Sequence, residues 1–227
     1  MENKEQAKKR DLTISGIAST RGGSFNRVKI DGIGRVEGDI ECSAFSSNGK
    51  MTVNGSVRTK ITDMNGIGSL KGGLYTEKLD INGKVNVGGD LVSEELHLSG
   101  MLTVQGDCEA ESFQAEGRLA FGSLNAGHIS IKLQGPSRIN EIGGETIQIR
   151  KHSGKFAKLL KALPLPAVNR LTAGVIEGDE IYLENTKADI VRGSQVTIGE
   201  GCEIGRVEYK TNCHQHKDAI VGNREQL

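Results

Sequence analysis

The sequence predicts an all-β fold, a single-stranded β-solenoid whose parallel coils are about 17 residues long. Three observations carry that prediction: two ladders of glycine in one register, apolar residues at alternate positions between them, and no stripe of helical period. In the first ladder Gly32, Gly49, Gly66, Gly83, Gly100 and Gly117 follow one another at intervals of 17 residues. Gly38, Gly55, Gly72, Gly89 and Gly106 form a second ladder with the same interval. Chance does not place two such ladders in one register.

The residues between the glycines keep the same clock. Four positions before each first-ladder glycine stand Val28, Phe45, Thr62, Leu79, Leu96 and Phe113. Two before it come Ile30, Ser47, Met64, Ile81, Leu98 and Ala115, and four after it Val36, Val53, Leu70, Val87, Val104 and Phe121. Eight after it stand Ile40, Val57, Leu74, Leu91, Cys108 and Asn125. The odd positions differ: Asp31, Asn48, Asn65, Asn82, Ser99 and Glu116 stand just before the glycines of the first ladder, and Asp39, Ser56, Gly73, Asp90 and Asp107 just after those of the second. Alternation with period two marks strands with one buried face. An odd repeat length makes the alternation slip once per coil, which calls for one irregular corner.

Stacked coils lie about 4.8 Å apart, so equal offsets form columns and Val36 lies over Val53. One coil cannot bury its own apolar face, and stability comes from its neighbours. Counting by twos places the ladder glycines on the inward side, where the chain turns tightly. Leu91→Asp is then expected to be strongly destabilising and Asp90→Ala nearly silent.

After Gly117 the register loosens. Ile129, Ile131, Leu133 and Gly135 continue it with one extra residue, and Ile147 and Ile149 extend the coils to about Arg150. The stretch 151–170 breaks the pattern. Phe156, Leu159, Leu160 and Leu163 share a helical face, Lys155, Lys158 and Lys161 lie elsewhere around it, and Pro164 and Pro166 stop it. That stretch reads as a short amphipathic helix or loop inserted in the solenoid, a candidate contact for a partner or a membrane. Alternation returns with Ile181, Leu183, Val196, Ile198 and Ile204. The expected order is a charged tail over 1–12, regular coils over 13–150, the insertion over 151–170, further coils over 171–210, and a polar, mobile tail over 211–227.

Composition narrows the function classes. The 227 residues hold 29 basic and 29 acidic side chains, a formal net charge of zero, which gives no bulk attraction to nucleic acid or anionic lipid. No run of apolar residues is long enough to span a membrane as a helix. The first residues carry no apolar signal-peptide stretch. Cys42, Cys108, Cys202 and Cys213 are too scattered for a disulfide framework, so a cytoplasmic protein with reduced thiols is expected.

Ile30-Asp31-Gly32 through Val36-Glu37-Gly38-Asp39-Ile40, Val85 to Leu91, Val104-Gln105-Gly106-Asp107, and the later stretch Val196 to Ile204 resemble the coils of bactofilins, bacterial polymer-forming cytoskeletal proteins. The resemblance runs from about Thr13 to Tyr209. It implies a right-handed β-helix, self-assembly into filaments without nucleotide or other cofactor, and a scaffold role in cell shape, envelope organisation or motility. Its implied partners are copies of itself, a paralogous bactofilin, and envelope or motility proteins. Many members carry bulky apolar residues in an N-terminal membrane-targeting segment. Met1 to Arg10 has none, so membrane contact is expected to be indirect.

Polymerisation also has a rationale in the repeat itself. The two ends of a solenoid expose strand edges and open apolar columns. The first coil begins near Leu12 and Ile14 and the last is expected to end near Val207 and Tyr209, which makes these four the candidate self-association residues.

Competing chemistry is weaker. Cys213-His214-Gln215-His216 with Cys202 upstream offers zinc-ligand types without a paired-cysteine spacing. Gly32-Ile33-Gly34 with Gly38 lacks the spacing and the following helix of a dinucleotide turn. A hexapeptide acyltransferase would need repeats of six and a histidine base, and His97 and His128 show no obvious acidic partner. A polysaccharide-active solenoid would need paired carboxylates, and Asp39, Asp90 and Asp107 share one outward offset. A soluble adaptor that binds a partner scaffold without polymerising is the third alternative. No catalytic, cofactor or metal residue is expected.

Overall fold

In the computed structural model, which describes residues 9–151 and 169–227, every regular element is a β-strand. They are β1 (Leu12–Ser24), β2 (Arg27–Glu41), β3 (Ala44–Asn54), β4 (Val57–Arg58), β5 (Ile61–Leu70), β6 (Leu74–Val87), β7 (Leu91–Val104), β8 (Asp107–Leu133), β9 (Ser137–Lys151), β10 (Leu171–Leu183), β11 (Thr186–Ile198), β12 (Glu203–Gln215) and β13 (Ile220–Gln226). Each pairs in parallel with the strand one coil along, and together they form one sheet wound into a solenoid of about 12 turns.

The register is the one the repeat dictates. Val36 pairs with Val53, Val53 with Leu70, and Leu70 with Val87, each one repeat along the chain. The columns read from the sequence are the core: Val28, Phe45, Thr62, Leu79, Leu96 and Phe113 are each at most 1% exposed. A further inward column, Met51, Val85, Leu102 and Leu119, lies two residues past the first glycine ladder. Phe113 and Phe121 meet edge to face with ring centroids 5.9 Å apart, the geometry their quadrupoles favour. Asn125 departs from its column. It is exposed, and the neighbours Leu124 and Ala126 turn inward instead, because the spacing from the preceding coil shortens here to 16 residues, where Ser123 Oγ donates to Asp107.

The slipping corner is held by hydroxyls. Thr76 Oγ1 donates to the Lys60 and Lys78 carbonyls at 3.0 Å, and Ser93 Oγ to that of Glu95 at 2.8 Å, so these buried polar side chains close the turn.

The first-ladder glycines are not inward side-chain positions, as counting by twos suggested. They are corners with φ between +113° and +156°, and they stack directly on one another from Gly16 to Gly117. A Cβ on Gly100 would lie 2.0 Å from the carbonyl oxygen of Gly83 in the coil before it. Glycine is required because the neighbouring backbone fills the space along the axis, as well as for the left-handed φ.

Past the first eight strands the coils vary in length. β10 pairs with β9 at a step of 34 residues, so Leu171 stacks directly on Ser137. β10 to β11 is a step of 15, and β11 to β12 begins at 16. The helix expected within 151–170, with Phe156, Leu159, Leu160, Lys155, Lys158 and Lys161, lies outside the described residues. The polar tail expected over 211–227 is corrected: β12 runs on to Gln215 and β13 adds a further coil over Ile220–Gln226. These strands were hidden because Lys210 to Asn212 and Asn223 to Gln226 are polar in succession and break the apolar alternation.

Candidate functional site: the coil ends and outward columns

The first coil is held from one side only. Among the described residues β1 pairs with β2 and with no other strand. Ile14 is 4% exposed and anchors β1 on Ile30, while Leu12, over Val28, is half-buried. Ala18, in the column over Gly34, is exposed, and nothing lies within 4 Å of where a Cβ on Gly16 would be. Leu12 and Ile14, two of the four predicted end residues, thus lie on the first described coil.

The other two do not lie on the last described coil. β13 covers β12, so Val207 pairs with Arg224 and Tyr209 with Gln226; Val207 is fully buried and Tyr209 half-buried. The last described coil carries Asn223, Arg224, Glu225 and Gln226 in succession, flanked by the exposed Ile220 and Leu227. Beneath it Glu208, 8% exposed, accepts from Arg192 at 2.6 Å and Arg206 at 3.4 Å. The Arg192 hydrogen bond first, with both guanidinium charges, holds the Glu208 carboxyl below its ordinary range.

The outward carboxylates weighed as a catalytic row have structural work. Asp39 Oδ1 accepts from the Ser56 backbone N–H at 2.7 Å, and Asp90 Oδ1 from that of Asp107 at 3.1 Å. Where Ser56 replaces the carboxylate, its Oγ accepts from the Gly73 N–H at 3.1 Å. Each ties one coil's bend to the next, as an Asx cap ties a turn. In the outward column just before the first glycine ladder Asn48 donates to Asp31 at 2.9 Å and Asn65 donates to Asn48 at 3.2 Å.

His97 does have an acidic neighbour, contrary to the reading from sequence. Asp80, one repeat earlier, places Oδ1 3.7 Å from His97 Nδ1, and both side chains are 43% exposed. At that distance and exposure the two form a surface contact.

The thiols follow burial. Cys108 is fully buried, and desolvation pushes its pKa up to about 12; Cys202 is raised to about 11 by the same cause. Cys213 is half-buried against the core, with His214 exposed, and among the described residues no three His, Cys, Asp or Glu side chains are grouped to hold a metal ion.

A shallow groove of about 910 Å³ crosses β8 to β12. Gly143, Gly144, Gly178 and Gly193 leave its floor bare, and Glu109, Glu141, Glu145, Glu177 and Asp179 outnumber Arg192 and Lys210 around it.

No protein-family model matches the chain, and no solved structure matches it. Two proteins of Bacillus subtilis (strain 168) do. The uncharacterized protein YhbE is 53% identical over 217 residues, covering 87% of this chain and 90% of YhbE. The uncharacterized protein YhbF is 38% identical over 107 residues, 47% of this chain, and the chain spans 42% of YhbF's own length. The chain belongs to the YhbE family.

Proposed function

We propose that this member of the YhbE family is a non-catalytic scaffold of the bactofilin kind, assembling end to end into filaments without nucleotide in support of cell shape, envelope organisation or motility. The observation that carries the reading is the first coil. Its outer backbone edge has no strand partner among the described residues, and its end-facing positions are Leu12, Gly16 and Ala18, small or apolar groups open to a neighbour. An unpaired parallel edge above an apolar stack is satisfied by another coil, and a second copy supplies one. The repeat already shows how little such a junction requires, since each coil adds to the last through backbone ladders and same-column contacts.

The test is negative-stain electron microscopy of the full chain at near-physiological salt without nucleotide or metal, with sedimentation in parallel. Filaments or sheets are expected. Ala18→Arg places a charge on the end face at an exposed position and is expected to leave discrete particles. Ser19→Arg, its outward neighbour on the same strand, is expected to assemble like the parent. Discrete small particles for the parent chain, alone and mixed with a paralogous solenoid, overturn the proposal, as does normal assembly of Ala18→Arg.

A further inference from the structure

We propose that the outward column immediately after the first glycine ladder is a lipid-docking stripe, through which the solenoid lies directly on an anionic bilayer surface. The register stacks Ile17, Ile33, Lys50, Ile67, Lys84, Met101 and Arg118 one above another over seven consecutive coils. Each follows a positive-φ glycine, so the row runs along the outer corner of the solenoid. At the coil spacing it is roughly 29 Å long.

Its composition differs from every other outward feature of these coils. The described residues include six large hydrophobic side chains that are exposed, and three of them stand in this one column: Ile17 at 82%, Ile33 at 47% and Ile67 at 51%. In the same row Lys50, between Ile33 and Ile67, and Lys84 and Arg118 beyond them are exposed, and the row contains no carboxylate. The next outward column, Ser19, Arg35, Thr52, Ser69, Asn86, Thr103 and Ala120, contains none either. On the other side of the glycines the adjoining column holds two acids, Asp31, engaged by Lys29 at 2.8 Å and Asn48 at 2.9 Å, and Glu116, which accepts from Gln134 at 2.6 Å. Net neutrality of the chain is therefore an average that this face does not share.

Alternating cations and branched aliphatics match an anionic bilayer in both components. Ammonium and guanidinium groups meet lipid phosphates and carboxylates at the headgroup level, while the isoleucines and Met101 enter the boundary with the acyl chains. A polyanion such as nucleic acid would use the cations and leave the isoleucines in water, where they cost solubility and return nothing. The stripe does not rest on the filament reading, because a subunit that never assembles presents it complete.

Flotation in a density gradient tests it, since assembled protein sinks and only lipid carries it upward. The full chain is mixed with vesicles of phosphatidylcholine plus phosphatidylserine, and separately with phosphatidylcholine alone. Flotation with the anionic vesicles only is expected. The double variant Lys50→Glu, Lys84→Glu is expected to lower the apparent partition coefficient by about tenfold or more. Ile33→Ser with Ile67→Ser is expected to lower it severalfold while leaving charge unchanged. All four positions are exposed, and circular dichroism melts check that the variants fold; should either double variant melt early, the single changes Lys84→Gln and Ile67→Ser replace it. Failure of the parent to float overturns the proposal, as does parent-like flotation of both variants. Loss in the charge variant with none in the isoleucine variant also overturns it, and assigns the row to a polyanion instead.

Discussion

Replacing Gly100 by alanine separates the two things a ladder glycine does, when compared with the same change at Gly38. Both residues have positive φ, +136° and +99°, so both variants carry the left-handed penalty of an L residue, about 1–2 kcal/mol. The surroundings differ. Nothing lies within 4 Å of a Cβ on Gly38, whereas one on Gly100 falls 2.0 Å from the Gly83 carbonyl oxygen and 2.9 Å from its carbonyl carbon. Relieving that overlap means parting two stacked coils by about 1 Å, which adds about 1–3 kcal/mol of overpacking strain. Two flanking ladder hydrogen bonds then stretch beyond useful length, for another 1–3 kcal/mol or so. Gly38→Ala is thus expected to cost about 1–2 kcal/mol and Gly100→Ala about 5. For a chain of this size that is a fall in Tm of roughly 2–8 °C against 10–20 °C by calorimetry or circular dichroism. Equal shifts would show that the ladder is selected by dihedral angle alone and that the axial backbone contact is not limiting.

The remaining predictions use the same columns. Leu91→Asp buries an unpaired carboxylate at a fully buried position and should cost roughly 4 kcal/mol or more, while Asp90→Ala, nearly silent on the sequence reading, should cost about 1 because it frees the Asp107 N–H; equal melting temperatures would refute the inside–outside assignment. A thiol reagent on the native protein at mildly alkaline pH should modify Cys213 first and spare Cys108 and Cys202 until unfolding, and rapid loss of the Cys108 thiol would contradict its burial. Glu208 sits below its ordinary value of 4.5 when folded, so its bonds with Arg192 and Arg206 stabilise above that pH and are lost as pH falls through the lower folded value. Tm measured against pH should therefore drop less steeply on the acid side in Arg192→Gln than in the parent, and parallel curves would refute the coupling. Gly16→Ala adds a Cβ to the end face with nothing within 4 Å of it, and at φ +90° it should lower Tm by about as much as Gly38→Ala, roughly 2–8 °C, while reducing sedimenting assemblies well below those of Gly38→Ala; equal assembly by the two variants would count against stacking on that face.

What was legible from sequence was whatever the repeat repeats. Columns such as Val28 to Phe113 are visible because six coils ask the same question of the same offset, and burial answers alike each time. The hydrogen-bonding row of Asp39, Ser56 and Asp90 was visible as a row but not as a function: residue type shows that an offset is outward, and only geometry shows that its oxygen caps the next coil. The glycines were misread because alternation alone counts side-chain directions, and a positive-φ corner suspends the count. Val207 and Tyr209 were misplaced as an end because β13 is polar from Asn223 onward. An outermost coil has one neighbour to satisfy, so its sequence no longer carries the pattern that identifies the others.

The exposed isoleucine row was hidden for the opposite reason. Ile33 and Ile67 stand at odd positions, where a reading by alternation expects polar residues, and each looks like noise until the register places it beside Lys50 and Lys84. Stacking converts residues separated along the chain into a continuous edge, and that edge is where a solenoid can differ from the average of its composition. The same conversion governs the ends. A column that gains stability from every added coil is open at its first described rung, so the proposed stacking of copies would use the contact that already stabilises the fold. The lateral row needs no such incompleteness. A solenoid can therefore carry two independent kinds of interface, axial ones set by the repeat and lateral ones set by which outward offset departs from it.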